Sequence, residues 1–194
     1  MNSAVDASPS TVGEVLYAER WNEVRRTAIR DSWLTENEAR RRHIEGELFL
    51  AIDARRDDVG ELRPRWVMGI GRSGVRVQFF TPGGGSIRRL IDYDARDGRL
   101  WRWITIDYVY PDDETFHEQF ECRTMYTSSF EPDGTGTVDI DDKAKPMVDR
   151  ARLTDAPVAG FWMGWPEFGH WDQLADPEYG VPPRATGDPV APTP

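Results

Sequence analysis

Among its 194 residues the chain has one cysteine, Cys122. A lone thiol excludes an intramolecular disulfide framework and any multi-cysteine zinc site. Histidine is almost as scarce, with only His43, His117 and His170. Glu167, His170 and Asp172 come nearest to a metal-binding set, but Pro166 and Gly169 break the helix that would align them. No metal or other cofactor is expected. No apolar run approaches the roughly 20 residues of a membrane span. The first ten residues lack the basic and apolar regions of a signal peptide. The expectation is a protein of the cytoplasm, away from membranes. No G-x-S-x-G, P-loop or H-E-x-x-H motif is present, and there is no internal repeat.

One motif matches by letter. Gly69-Ile70-Gly71-Arg72-Ser73-Gly74 spells G-x-G-x-x-G, which cradles a pyrophosphate only between a strand and a helix. Here Val75-Arg76-Val77-Gln78-Phe79-Phe80 follows and reads as a strand, so a hairpin turn is the better assignment. The acidic run from Asp133 to Asp142 likewise misses the calcium-loop spacing. Cys122 beside Phe120 reads as an inert buried thiol.

Charge is abundant and unevenly spread. The net charge is −10. Residues 61–105 carry 9 basic and 4 acidic side chains, whereas residues 106–194 carry 6 basic and 18 acidic. An acidic C-terminal half repels nucleic acid and steers toward a cationic partner. The basic run Arg40-Arg41-Arg42 lies among Glu36, Glu38, Glu45 and Glu47 and reads as a solvated helix face.

The expected architecture is α+β, with N-terminal helices packed on a predominantly antiparallel sheet of about six to eight strands. Residues 1–10 read as disordered, 11–175 as one domain and 176–194 as an extended Pro-rich tail. Thr11-Val12-Gly13-Glu14 fits a capping box, and Tyr17, Trp21, Val24 and Ala28 recur at helical steps to about Ser32. Thr35-Glu36-Asn37-Glu38 starts a second helix; beyond it Leu48, Leu50 and Ile52 alternate like a strand while Leu48, Ala51 and Ile52 also suit a helix, and a strand after Gly46 is favoured. From Trp66 onward, short Gly- and Asp-rich turns separate strands, which therefore pair antiparallel. Leu100–Tyr110, Phe116–Phe130 and Thr137–Ile140 read as three consecutive strands, with a further one within Met147–Leu153. In the first of these, Ile104 and Ile106 alternate with Trp101 and Trp103. If the isoleucines face the core, the two Trp rings need cover or a partner.

Two functions from different classes follow. The first is a non-catalytic acidic binding protein that uses Trp101, Trp103, Asp112, Asp113, Glu114, Trp162, Trp165 and Trp171 against a protein partner. Acidic steering and rigid aromatic anchors favour fast, tight association with a basic surface. The second is a small enzyme or ligand-binding protein with a pocket in a curved sheet. Its walls would be Trp101, Trp103, Tyr108 and Tyr126, and its acid–base pair His117 and Glu121.

The stretches Arg65-Trp66-Val67 leading into Val75–Phe80, Ser129-Phe130-Glu131-Pro132-Asp133-Gly134, and Phe168-Gly169-His170-Trp171-Asp172 carry a resemblance over most of residues 60–175. The chain resembles small bacterial polymorphic-toxin immunity proteins. That resemblance implies helices on an antiparallel sheet, no catalytic residue and no cofactor. It also implies cytoplasmic protection against a secreted toxin by direct contact, and the acidic charge of the C-terminal half makes a basic toxin domain the expected partner.

Overall fold

A computed structural model describes residues 14–182. The expected disorder of residues 1–10, the capping residues Thr11–Gly13 and the tail beyond Pro182 lie outside these described residues.

The elements run in order from β1 (Glu14–Ala18), β2 (Trp21–Asn22), β3 (Thr27–Ala28) and β4 (Trp33–Leu34) to helix α1 (Glu36–Glu45). An unbroken up-and-down meander follows: β5 (Phe49–Arg56), β6 (Leu62–Gly71), β7 (Gly74–Phe80), β8 (Ile87–Arg96) and β9 (Arg99–Val109). It continues through β10 (Thr124–Phe130), β11 (Gly136–Asp142) and β12 (Asp149–Leu153), and the chain closes with β13 (Trp162–Met163) and α2 (Asp172–Ala175). The main sheet has 11 strands in the order β12-β11-β10-β9-β8-β7-β6-β5-β1-β4, with β13 paired to β9.

This corrects the expected fold class. The sheet has eleven strands rather than six to eight, and of the N-terminal helices foreseen only α1 is present, the other α-helix among the described residues being the short α2 near the C-terminus. The segment expected to be the first helix is β1 followed by the β2–β3 hairpin. Val15 and Tyr17 lie opposite Asp53 and Ala51 of β5. Val24, counted on the apolar helix face, is 62% exposed at the hairpin tip. There Asn22 accepts the Arg25 amide at 2.9 Å and Arg26 takes a φ of 50°. Strand pairing with β5 outweighs a chance helical spacing, because local periodicity is a weak prior against tertiary contacts.

The expected strand Phe116–Phe130 is also shorter, beginning only at Thr124. Upstream, Asp112 accepts the amides of Glu114 and Thr115 at 3.0 and 2.7 Å. Glu121 accepts that of Glu118 at 2.7 Å around a single 3-10 turn. Such side-chain bonds give the backbone an alternative to the ladder.

Helix α1 forms where its capping box places it. Glu38 N–H donates to Thr35 Oγ1 at 3.3 Å, and Thr35 N–H donates to Glu38 Oε2 at 2.8 Å. Gly46 ends it at φ 68°, in the left-handed region. The G-x-G-x-x-G stretch is the β6–β7 hairpin, with Gly71 opposite Gly74.

Both faces of the central sheet are covered. On the first face, Phe49, Trp66, Met68, Val77, Phe79 and Ile91 pack under Ala39 of α1 and under Met163, Trp171 and Leu174 of the C-terminal segment. On the second, Ala18, Ile52, Val67, Phe80 and Ile87 pack with Ala28 and Trp21 of the hairpin. Continuous apolar stretches such as Trp66-Val67-Met68 are the signature of a sheet buried on both sides.

Three register shifts interrupt the ladder, at Asp53/Ala54, Phe79/Phe80 and Asp92/Tyr93. Each leaves one residue without an opposite number: Arg65 in β6, Arg88 in β8 and Trp103 in β9. The Trp103 bulge resolves the two-Trp problem. It moves Trp101, opposite Asp94, onto the same face as Ile104, opposite Asp92. Trp101 is then fully buried, 4.9 Å from the Trp162 ring and 5.8 Å from that of Phe161, and its Nε1 donates to the Phe130 carbonyl at 2.9 Å.

Candidate functional site

Two of the bulges lie at one end of the first face, beside a cavity of about 590 Å³. Its floor is Val15 of β1, Asp53 of β5, Trp66 of β6 and Phe79 of β7. Its roof is the C-terminal segment, through Gly169, Trp171, Asp172, Ala175 and Pro177. Four arginines line it: Arg55, Arg63, Arg65 and Arg88. Bulges re-aim side chains and cluster beside functional sites, and here two of them deliver Arg65 and Arg88. Arg55 and Arg63 sit directly opposite each other in the β5–β6 ladder. Like charges in such a pair destabilise a sheet.

Asp53 is the buried carboxylate among the lining residues. It is 3% exposed, and its Oδ2 pairs with the Arg65 guanidinium. Its Oδ1 is buried with no hydrogen-bond partner. A buried carboxylate oxygen left unpaired is costly, on the order of 1–3 kcal/mol or more. The Trp171 indole N–H, also buried, is turned toward the Tyr17 hydroxyl without reaching hydrogen-bond geometry. Arg63 is neutralised by Asp57, its Nε donating to Oδ2 at 2.9 Å. Arg55 and Arg88 are exposed and have no carboxylate partner among the described residues.

The roof is pinned at both ends. Upstream, the Phe168 ring stacks on Tyr17 at 5.2 Å and lies under the Arg40 guanidinium at 4.5 Å. Downstream, Arg89 binds Asp107, Glu178 and the Pro177 carbonyl, and Arg102 donates to the Tyr179 carbonyl at 2.9 Å. Residues 176–182, expected as part of a tail, are thus anchored to the sheet. Burial opposes the charge on Arg89, but its bonds to Asp107 and Glu178 carry its pKa above the ordinary value. Arg102, 4% exposed, is pushed down by burial. Burial raises the Tyr93 phenol beside it to about 12.

The residues foreseen as partner contacts are dispersed. Trp101 and Trp171 are buried, whereas Trp103, Trp162 and Trp165 are half-buried, with Arg99 over the Trp162 ring at 5.1 Å. Asp112, Asp113 and Glu114 are exposed on the loop after β9. The backbone amide of Thr115 holds the Asp112 carboxyl below its usual range. Of the four aromatic walls foreseen for a pocket, none lines this cavity, and Tyr126 is exposed on β10. His117 and Glu121 do not come together. The His117 ring stacks on Tyr110 at 5.4 Å and faces Asp112 at 3.4 Å, while Glu121 caps the 3-10 turn. His170 and Glu167 approach to 3.5 Å on the surface. Among the described residues no group of three or more His, Cys, Asp or Glu side chains is placed to hold a metal ion. No described helix is long and apolar enough to cross a membrane.

Sequence reasoning passed over Asp53 and the four arginines. Two signals pointed to them: the basic excess of residues 61–105, and Pro64, a residue that inside a strand marks an edge or a bulge.

No protein-family model matches the chain, and neither a curated protein nor a solved structure matches it.

Proposed function

We propose that the chain is a small-molecule-binding protein whose site is the roofed cavity at Asp53. The observation that carries this reading is Asp53, a buried carboxylate with one oxygen unpaired, among the residues that line a cavity with apolar surfaces and an arginine rim. Its volume falls within the roughly 300–1,000 Å³ of known ligand pockets, which pair apolar walls with a few fixed polar groups. The test is native mass spectrometry of the purified protein after incubation with a metabolite extract, beside an Ala175→Phe variant that fills the cavity from its roof. A small molecule retained by the parent and lost by A175F is expected. No retention, or equal retention by a folded A175F, overturns the reading.

A second reading, neutralisation of a basic toxin domain, draws support from the loop between β9 and β10. It exposes Asp112, Asp113, Glu114, Glu118 and Glu121 around Phe120, which is 75% exposed. Acidic charge around one projecting aromatic suits a cationic partner. A basic toxin domain recovered with the parent protein but not with Phe120→Ala, its association rate falling with salt, is the expected result. Equal recovery by both proteins, or a salt-independent rate, would count against it.

A further inference from the structure

We infer that the pocket's ligand is an organic anion with an apolar body and a neutral hydrogen-bond donor; this rests on the cavity being a ligand site. The anionic group is assigned to Arg55 and Arg88 at the mouth, the donor to Asp53 Oδ1, and the body to Trp66, Phe79 and Trp171. Each assignment has a physical ground.

Arg55 faces Arg63 across the ladder, and Arg88 is carried to the rim by a bulge, both without a carboxylate partner among the described residues. Arg55 and Arg88 each bring an uncompensated positive charge to the cavity lining, and a bound anion would neutralise it. Guanidinium is also the side chain best matched to carboxylate, sulfonate or phosphate oxygens. Asp53 already has its charge balanced by Arg65. Its orphan oxygen therefore calls for a hydroxyl or N–H rather than a second cation. The overall charge of −10 does not oppose this. At physiological ionic strength exposed charges beyond about 8 Å are largely screened, so the local groups decide the sign at the mouth, where Arg63 and Arg65 are paired and Arg55 and Arg88 leave a positive excess beside Asp172.

Two fluorescent probes separate the parts of this inference. Anilinonaphthalene sulfonate has an aromatic body, an N–H donor and a sulfonate; N-phenyl-1-naphthylamine is the same molecule without the sulfonate. The sulfonate is expected to bind at least about tenfold more tightly, the loss typical of removing one charge-assisted hydrogen bond. In an Arg55→Gln, Arg88→Gln double variant that advantage disappears, while affinity for the neutral probe stays constant and serves as the check on folding. Displacement of the sulfonate by dodecanoate as against dodecyl phosphate then identifies which anion the rim prefers. If both probes bind equally and A175F abolishes both, the cavity stands as a ligand site and the anion assignment falls. If A175F affects neither probe, the cavity reading itself falls.

Discussion

Truncating Trp101 distinguishes a core residue from a partner anchor. Its ring is fully buried against Trp162 and Phe161, and its N–H satisfies the Phe130 carbonyl. Phe or Trp to Ala changes in cores cost about 3–5 kcal/mol. A carbonyl left unpaired adds on the order of 1–3 kcal/mol where water cannot reach it. Trp101→Ala is therefore expected to cost roughly 4–6 kcal/mol, allowing for partial relaxation, against a typical total of about 5–15 kcal/mol. Trp101→Phe keeps most of the packing, loses the hydrogen bond and is expected to cost about 1–3 kcal/mol. Urea denaturation followed by far-ultraviolet circular dichroism reads both, since eight tryptophans would blur fluorescence. An unchanged slope with a lower midpoint is the expected form. A cost for W101A below about 1 kcal/mol, or one equal to that of W101F, would refute the burial and hydrogen-bond reasoning together.

Gly74 sits at φ 152°, and a Cβ there would collide with the Tyr93 carbonyl; Gly74→Ala is expected to destabilise by more than about 1 kcal/mol, and an unchanged melting temperature would contradict that geometry. The Tyr93 phenol, raised by burial to about 12 in the folded protein, loses its proton more easily when unfolded. Its stabilisation is full below pH 10 and is lost as pH rises through 12; Tyr93→Phe, which removes an unpartnered hydroxyl, is expected to flatten that alkaline decline in a pH series of urea melts. The His43 pKa is lowered by burial, with Pro166 pulling the other way. Folding therefore favours the neutral ring, so stability is present above the ordinary value of 6.5 and falls as pH drops below it. His43→Phe, placed among Phe49, Phe168 and Trp171, should remove that acid-side slope, and an identical slope in the variant would contradict it.

The parts of the fold legible in the sequence were those written in local chemistry. Thr35 and Glu38 marked a helix start, and Asp94–Gly98 a turn, which the structure narrows to Asp97-Gly98 after a longer β8, both residues at positive φ. The N-terminal strands were illegible for a different reason. Tyr17, Trp21 and Ala28 are apolar because they meet β5 and the second core. A hairpin can bring such residues together at spacings that mimic a helix. Only the position of β5, more than thirty residues downstream, distinguishes the two.

The site was hidden by the bulges. Strand alternation assigns faces only while the register holds, and one extra residue flips everything beyond it. In an unbroken β8, Arg88 would share a face with Leu90 and point toward the second core, where Val67 and Phe80 are packed. In an unbroken β6, Arg65 would share a face with Val67. Burying either guanidinium there without a partner would cost several kcal/mol. The bulges avoid that cost, and they turn two arginines that the pleat would drive into the core toward the rim of the Asp53 cavity. Arg65 is then answered by Asp53, whereas Arg88 and Arg55 are left without a carboxylate among the described residues, and theirs are the charges that the proposed anion would neutralise.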